Sequence, residues 1–294
     1  MRELVALRDM REAAAAAQRG GARVGFVPTM GFLHPGHLAL VREARRRADL
    51  VVMSIFVNPL QFGPNEDFAA YPRDAERDRS LAERSGVDVL WMPTTEGMYP
   101  SPPQVTVQPG PVGTILEGAV RPGHFAGVLT AVAKLFAVVQ PAVAVFGRKD
   151  AQQAALVRAM IRDLSLPVEL VVAPTVRDAD GLALSSRNVY LDAEQRRQAL
   201  ALPRALAAGL AAFRAGERRA GRIVAATFAA LAAEPALTAE YVNVVDPDTF
   251  QPSHAATAAS FLAVAVRVGG RRLIDNVILG EGLEADPREA PASS

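Results

Sequence analysis

Two histidines, His34 and His37, stand three residues apart around Pro35-Gly36 and are half of the four histidines in the chain. At that spacing both lie on one face of a helix start, and both can donate to phosphoryl oxygens. Pro35 suits a first helical turn, where its missing N–H has no use. Gly36 lets the backbone approach a ligand. The same turn carries unpaired N–H groups and the positive end of the helix dipole, which favour a phosphate. An ordinary polar pair beside a turn is the bland alternative. A zinc site is a second, but the chain has no cysteine, and a chelating histidine pair usually has an acidic or third histidine partner.

Two further stretches carry phosphate-binding chemistry. In Phe146-Gly147-Arg148-Lys149-Asp150-Ala151-Gln152-Gln153, Gly147 can admit a nucleotide ring, Lys149 can place charge on a phosphate and Asp150 can accept from ribose hydroxyls. Helix capping explains such a run equally well. Leu184-Ser185-Ser186-Arg187-Asn188 offers two hydroxyls and a guanidinium in a loop, a good phosphate clamp, with a serine-rich helix cap as the plainer explanation.

These residues need elements to hold them. Val24 to Val27 reads as a strand that hands over, through a glycine-bearing turn, to a helix whose apolar stripe is Leu38, Val41 and Ala44. Leu50 to Val57 is near-continuously apolar, as in a parallel strand covered on both faces, and leads into the loop Asn58 to Asn65. A charged helix from about Arg73 to Ser85 and a strand from Val87 to Met92 follow. Proline and glycine from Pro93 to Gly123 argue against helix, with Gln104 to Val107 as a short edge strand. Then come a helix (Gly127 to Val139), a strand (Ala142 to Phe146), a helix (Lys149 to Leu164) and a strand (Val168 to Ala173). Strands alternating with helices predict an α/β fold: a Rossmann-like parallel sheet, with ligands outside the C-terminal strand ends. Beyond Asn188, helices over Ala193 to Arg214 and Arg219 to Ala233, then strands Glu240 to Val245, Phe261 to Val268 and Arg272 to Leu279, predict a smaller α+β domain. The expected division is 1–175 and 176–294, with a disordered tail from about 282.

Length and composition agree. The chain has 294 residues, half of them apolar, enough for two cores. A net charge of +1 recommends neither nucleic acid nor an anionic membrane as partner. The alanine-rich start is broken by Arg8, Asp9, Arg11 and Glu12, so it reads as a surface helix and not as a signal peptide. No segment approaches the ~18 uninterrupted apolar residues of a membrane span. Zero cysteines fit a reducing interior. The expected location is the cytoplasm.

Together the HxGH and SSR elements resemble the two phosphate-handling motifs of the HIGH/KMSKS nucleotidyltransferase superfamily, which attacks the ATP α-phosphate and expels pyrophosphate. More specifically, PTMGFLHPGH, SIFVNPLQFG, DFAAYPRD, LEGAVRPGHFAGVLTAV, FGRKDAQQ, DGLALSSRN and LIDN, in order along nearly the whole chain, resemble the pantoate–β-alanine ligase (pantothenate synthetase) family. The resemblance implies ATP-dependent activation of D-pantoate to pantoyl adenylate, followed by attack of the β-alanine amine to give pantothenate and AMP. It assigns His34, His37, Lys149 and Arg187 to catalysis. His34 and His37 would contact the ATP phosphates, and Lys149, Ser185, Ser186 and Arg187 would hold the β- and γ-phosphates. Gly147 and Asp150 would hold the ribose, with the Val176 backbone beside adenine. Gln61 and Gln153 would bind pantoate, with Met30 lining that pocket beside ATP. Asn58, Tyr71, Glu117 and Arg121 would shape the β-alanine side, and Asp78 matches a position near the family's Mg²⁺. A homodimer is also implied. The intermediate must be kept from water, so a mobile cover is expected, and the small domain, closing over ATP, is the candidate; an unchanged interdomain angle in an ATP-soaked crystal would count against that closure. One departure stands out: Arg148 replaces the family's usual glutamate. The competing readings are an adenylyltransferase that releases its adenylated product and a catalytically idle nucleotide-binding regulator.

Overall fold

The computed structural model describes residues 1–64 and 66–283. Asn65, the end of one expected loop, and residues 284–294 of the expected disordered tail lie outside them. The chain forms two compact units: Met1–Gly147 with Leu156–Ala173, and Arg148–Ala155 with the chain from Pro174 onward.

In chain order the first unit holds β1 (Arg2–Leu4), α1 (Leu7–Arg19), β2 (Val24–Thr29), α2 (Pro35–Arg45), β3 (Leu50–Ile55), α3 (Ala75–Arg84), β4 (Val89–Trp91), α4 (Thr95–Met98), α5 (Glu117–Val120), α6 (His124–Val139) and β5 (Val143–Gly147). The helix α7 (Ala151–Asp163) passes from the second unit back into the first, which β6 (Glu169–Ala173) completes. All six strands run parallel in the order β1-β4-β3-β2-β5-β6. The order reverses at β2, and in such sheets ligands bind outside the strand C-termini at the reversal.

Alternation along each strand builds two cores. Val24 and Phe26, Val52, Ala144 and Phe146 pack with Met10 of α1 and Leu129, Val132 and Phe136 of α6. Val27, Val51, Met53, Val143 and Val145 pack on the other face with Leu40, Val41 and Ala44 of α2 and Ala82 of α3. Both faces of the central strands are therefore apolar, as a parallel sheet between helix layers requires. Trp91, the only tryptophan, is fully buried, and its indole N–H donates to the Val5 carbonyl at 3.2 Å.

The second unit adds α8 (Ala193–Ala199), α9 (Ala201–Arg214), α10 (Ala220–Ala232) and an antiparallel sheet of β7 (Thr238–Val245), β8 (Phe261–Val268) and β9 (Arg271–Ile278) in that order. Leu202, Leu206 and Leu210 of α9, Ile223 of α10, and Val242, Val244, Leu262, Val264 and Val266 of the sheet form its core. The predicted fold class, a parallel α/β sheet followed by a smaller α+β region, is what the chain adopts.

Several details differ from expectation. The N-terminal segment opens with a strand, β1, that pairs with β4 at the sheet edge. Residues 104–107 form no strand; the Val107 N–H instead donates to Thr130 Oγ1 at 3.0 Å. The proline- and glycine-rich stretch contains α4 and α5, each of four residues. The expected helix over 193–214 breaks at Leu200. Pro203 lacks the N–H that would reach Ala199, so one continuous helix would lose a bond there. On α2 the buried residues are Ala39, Leu40, Val41 and Ala44, while Leu38 is only half-buried.

Candidate active site

In the first unit the site grows from the loop that leaves β2. Gly31 has φ +82° and Phe32 φ +50°, both left-handed. A Cβ on Gly31 would lie 2.8 Å from Ile55 and 2.9 Å from Asp78 Oδ2, so only glycine fits. The strained Phe32 conformation persists because Asp78 overdetermines it. From α3, Asp78 Oδ2 accepts the Phe32 N–H and Oδ1 the Leu33 N–H, both at 2.7 Å. Burial pushes the Asp78 carboxyl above the usual range, against the opposing pull of those two N–H groups. Arg77 also lies over the Phe32 ring at 5.0 Å.

That loop delivers His34 in an extended conformation at the start of α2. The His34 backbone N–H donates to His37 Nδ1 at 3.3 Å. Nδ1 of His37 is therefore an acceptor, and a neutral ring carries its proton on Nε2. The two rings lie 4.0 Å apart between centroids, tilted by 33°. The pair forms one polar edge at the helix N-terminus, suited to an anion.

The loop leaving β3 carries the amides. Asn58 is buried and caps the 3₁₀ turn Pro59–Gln61 by accepting the Leu60 N–H at 3.3 Å. Its Nδ2 donates to Gln61 Oε1 and to the Gly127 carbonyl, both at 3.1 Å, and Tyr99 O–H donates to its Oδ1 at 3.0 Å. Burial pushes the Tyr99 hydroxyl up to about 12, so it stays a donor. Gln61 Nε2 in turn contacts Met30 Sδ at 3.1 Å. Met30, Asn58 and Gln61 are thus brought together, with Asn58 orienting Gln61. Gly127 makes this approach feasible, because a Cβ there would lie 2.1 Å from the Leu60 carbonyl oxygen.

Behind the turn lies a charged chain. Arg121 donates to both Glu66 carboxylate oxygens at 2.6 Å. Burial pushes Glu66 upward, but the Arg121 hydrogen bond and charge outweigh it and hold the carboxyl below its ordinary value. Arg121 also donates to His124 Nε2 at 3.0 Å, and His124 Nδ1 lies 2.9 Å from the Gln61 carbonyl. A carbonyl only accepts, so Nδ1 bears the proton and Nε2 receives Arg121. Both ring nitrogens are then used by a neutral imidazole. Burial, then the Arg121 charge, lowers its pKa to about 4. His124 was not singled out from the sequence. The signal was a second Pro-Gly-His, Pro122-Gly123-His124, again at a helix start.

The remaining expected residues of this unit are packed. Tyr71 is buried with its ring 6.1 Å from Phe62, and Glu117 is buried in α5. Among the described residues no group of three or more acidic or histidine side chains is placed to hold a metal. Asp78 is buried and each of its oxygens accepts a backbone N–H, so the role visible in the structure is to hold the Phe32-Leu33 loop.

In the second unit, a 3₁₀ turn over Arg148–Asp150 opens α7. Lys149 Nζ stands 3.6 Å from Asp150 Oδ1, and Gln153 is half-buried one turn further on. Arg148 turns its guanidinium to Glu281, so the extra cation is neutralised by an acidic side chain of its own unit. The Val176 carbonyl accepts from the Leu184 N–H at 3.0 Å, and an isolated bridge joins Arg177 to Ala183, closing a small hairpin. Ser185 caps the next 3₁₀ turn by accepting the Arg187 N–H at 3.3 Å, Ser186 is buried, and Asn188 ties the turn to the Ala183 carbonyl at 3.0 Å. Of the expected nucleotide-site residues, Met30, His34, His37 and Gly147 belong to the first unit. Lys149, Asp150, Val176, Ser185, Ser186 and Arg187 belong to the second.

A parallel α/β sheet with a histidine pair at the helix start beside its strand-order reversal is an α/β ligand-binding architecture whose helix start suits an anion. The comparisons narrow it. The family described as Pantoate-beta-alanine ligase matches residues 3–278. A pantothenate synthetase of Moorella thermoacetica is 52% identical over 279 residues, 95% of this chain and 99% of that protein. One from Agrobacterium fabrum is 50% identical over 291 residues, 99% of this chain and all of that one. The crystal structure of pantothenate synthetase from Thermus thermophilus matches with a TM-score of 0.90 at 49% identity, covering 95% of this chain and 99% of that one. A pantoate-beta-alanine ligase from Francisella tularensis, complexed with beta-gamma ATP and beta-alanine, matches with a TM-score of 0.78 at 29% identity, covering 97% and 100%. The chain belongs to the pantoate–β-alanine ligase family. It is an ATP-dependent ligase that joins pantoate to β-alanine through an amide bond.

Proposed function

We propose that the residues described above run this ligation in two steps. In the first, a pantoate carboxylate oxygen attacks the ATP α-phosphorus, and the bond from that phosphorus to the bridging oxygen breaks to release pyrophosphate. In the second, the β-alanine amine attacks the acyl carbon of pantoyl adenylate, the carbon–oxygen bond to AMP breaks, and the amine proton passes to solvent. Adenylation turns a poor acyl donor into one with a good leaving group, and adjacent binding supplies proximity.

His37 Nε2–H, fixed as a donor by the His34 backbone, and His34 face the phosphates, where the helix start adds its own positive potential. Lys149, Ser185, Ser186 and Arg187 hold the β- and γ-phosphates. Gly147 and Asp150 take the ribose, and the Val176 backbone lies beside adenine. Gln61 and Gln153 hold the pantoate hydroxyl and carboxylate with neutral amides, at no buried charge penalty. The Asn58 contact supports this role for Gln61, since it presets the amide orientation. Arg121 and Asn58 shape the pocket from behind through the Gln61 turn, and Tyr71 and Glu117 belong to its wall. Mg²⁺, if bound, would be carried by the nucleotide and would supply charge neutralisation at its phosphates. A cytoplasmic homodimer completes the proposal.

The match across residues 3–278 carries this reading. The test is pyrophosphate release from ATP with D-pantoate alone, followed by AMP release when β-alanine is added. Pyrophosphate exchange that depends on pantoate, with turnover only on adding the amine, is expected. Pantoate-independent exchange would overturn the substrate assignment.

A further inference from the structure

The two phosphate-binding elements of the second unit depend on one dipeptide of β9. Asn276 is buried, and its Nδ2 donates to the carbonyls of Arg148 and Lys149, both at 2.9 Å. Two acceptors fix the amide with nitrogen toward the corner and leave Oδ1 buried with no protein partner. An unpaired buried acceptor is unfavourable, so a strand shaped for packing alone would not keep an amide there. Asp275, beside it, is also buried. It accepts the Arg177 guanidinium at 2.6 and 2.9 Å, and its Oδ1 takes the Asn276 N–H at 2.8 Å. Arg177 donates as well to the Gly181 carbonyl at 3.1 Å. That arginine begins the hairpin that delivers Ser185, Ser186 and Arg187. One side of the dipeptide therefore holds the backbone of Lys149, and the other holds the hairpin leading to the serine–arginine turn.

We infer that Asp275-Asn276 is a positioning element that sets the placement of Lys149 relative to the Ser185–Arg187 turn during adenylation. The inference rests on the phosphate roles proposed above. Neither residue contacts substrate in this scheme: Asn276 acts through the Arg148 and Lys149 carbonyls, and Asp275 through the Arg177 side chain. Adenylation needs the β- and γ-phosphates held from two sides, whereas amide formation from pantoyl adenylate does not involve those phosphates. The two half-reactions should therefore respond differently.

The experiment places Asn276→Ala in the parent and in a Lys149→Ala background. It measures pantoate-dependent pyrophosphate release, and separately pantothenate formation from synthetic pantoyl adenylate and β-alanine. In the parent background, adenylation should slow by about 10- to 100-fold, the scale of a 1 Å misplacement, while the second half-reaction stays within about twofold. In the Lys149→Ala background, Asn276→Ala should add little, because the two act as a unit. Equal slowing of both half-reactions, or full additivity with Lys149→Ala, would overturn the inference by assigning Asn276 to general stability. If Lys149→Ala slows adenylation but Asn276→Ala does not, the inference alone fails. If Lys149→Ala leaves pyrophosphate release intact, the proposed role of Lys149 fails and takes the inference with it. Should Asn276→Ala not fold, Asn276→Ser, which keeps one hydroxyl donor, enters the same cycle with the same outcomes.

Discussion

Replacing His124 with asparagine should flatten the acid limb of the stability profile. In the folded chain the ring is neutral, with Nδ1 donating to Gln61 and Nε2 accepting from Arg121. Protonation would put a second cation against Arg121 in a buried place, and its pKa falls from 6.5 to about 4. The unfolded chain therefore binds a proton at higher pH than the folded chain does. For a depressed pKa, the associated stability is present in full above the unfolded value and is lost as pH falls toward the folded one. At ~1.4 kcal/mol per pH unit, the loss is about 2 kcal/mol between about pH 8 and pH 5, and about 3 kcal/mol once pH passes below 4. Glu66, held below its ordinary value, adds a loss in the same direction, but only below the ordinary carboxylate range. In the difference between parent and variant, the window from about pH 6.5 to 4.5 thus belongs to the histidine. Asparagine can keep the donor to the Gln61 carbonyl and cannot titrate. Urea denaturation followed by far-ultraviolet circular dichroism at each pH gives the two profiles, and their difference cancels the remaining histidines. Parallel profiles for parent and variant would refute the neutral, doubly bonded ring.

Two other substitutions probe the supports of the site. Asp78→Asn turns one of two accepting oxygens into a donor facing a buried N–H; a loss of about 1–3 kcal/mol, with pyrophosphate release slowed more than pantoate binding is weakened, is expected from melting and steady-state kinetics. Because burial raises the Asp78 carboxyl, its own titration favours the fold at low pH and loses that contribution as pH rises through the folded value, opposite in sign to His124. Gly127→Ala forces a methyl to within 2.1 Å of the Leu60 carbonyl. The Pro59–Gln61 turn must shift, at about 1–3 kcal/mol, and the KM for pantoate should rise while that for ATP holds.

Much of this arrangement was legible in the residues. Alternation of apolar strands with helical periodicity fixes a parallel sheet, because each strand must be covered on both faces. Pro35 and Gly36 mark the helix start that bears His34 and His37, since local backbone chemistry alone dictates that junction. What stayed hidden depends on distant partners. β1 has only three residues and no pattern until β4 lies beside it. Asp78 reads as one more acid on a charged helix until it meets N–H groups 45 and 46 residues earlier. Nothing in the sequence around His124 or Asn276 names a partner; Gln61 and Lys149 supply them only in the fold. Arg148, beside Lys149 in sequence, instead pairs with Glu281, more than a hundred residues later. Sequence spacing reports which groups lie on one face of one element; it does not report which backbone from another element comes to rest against them.

The burial of Trp91 has a practical consequence. The chain's single indole sits in the first unit, sealed beneath the N-terminal edge, and the second unit contributes none. Indole emission, excited apart from tyrosine, is therefore a one-sided optical gauge: it will shift when the parallel sheet opens and stay silent when the antiparallel sheet melts. A thermal scan that records emission alongside ellipticity would read the two units on separate channels without a label, and a lag between the traces would show that they come apart independently.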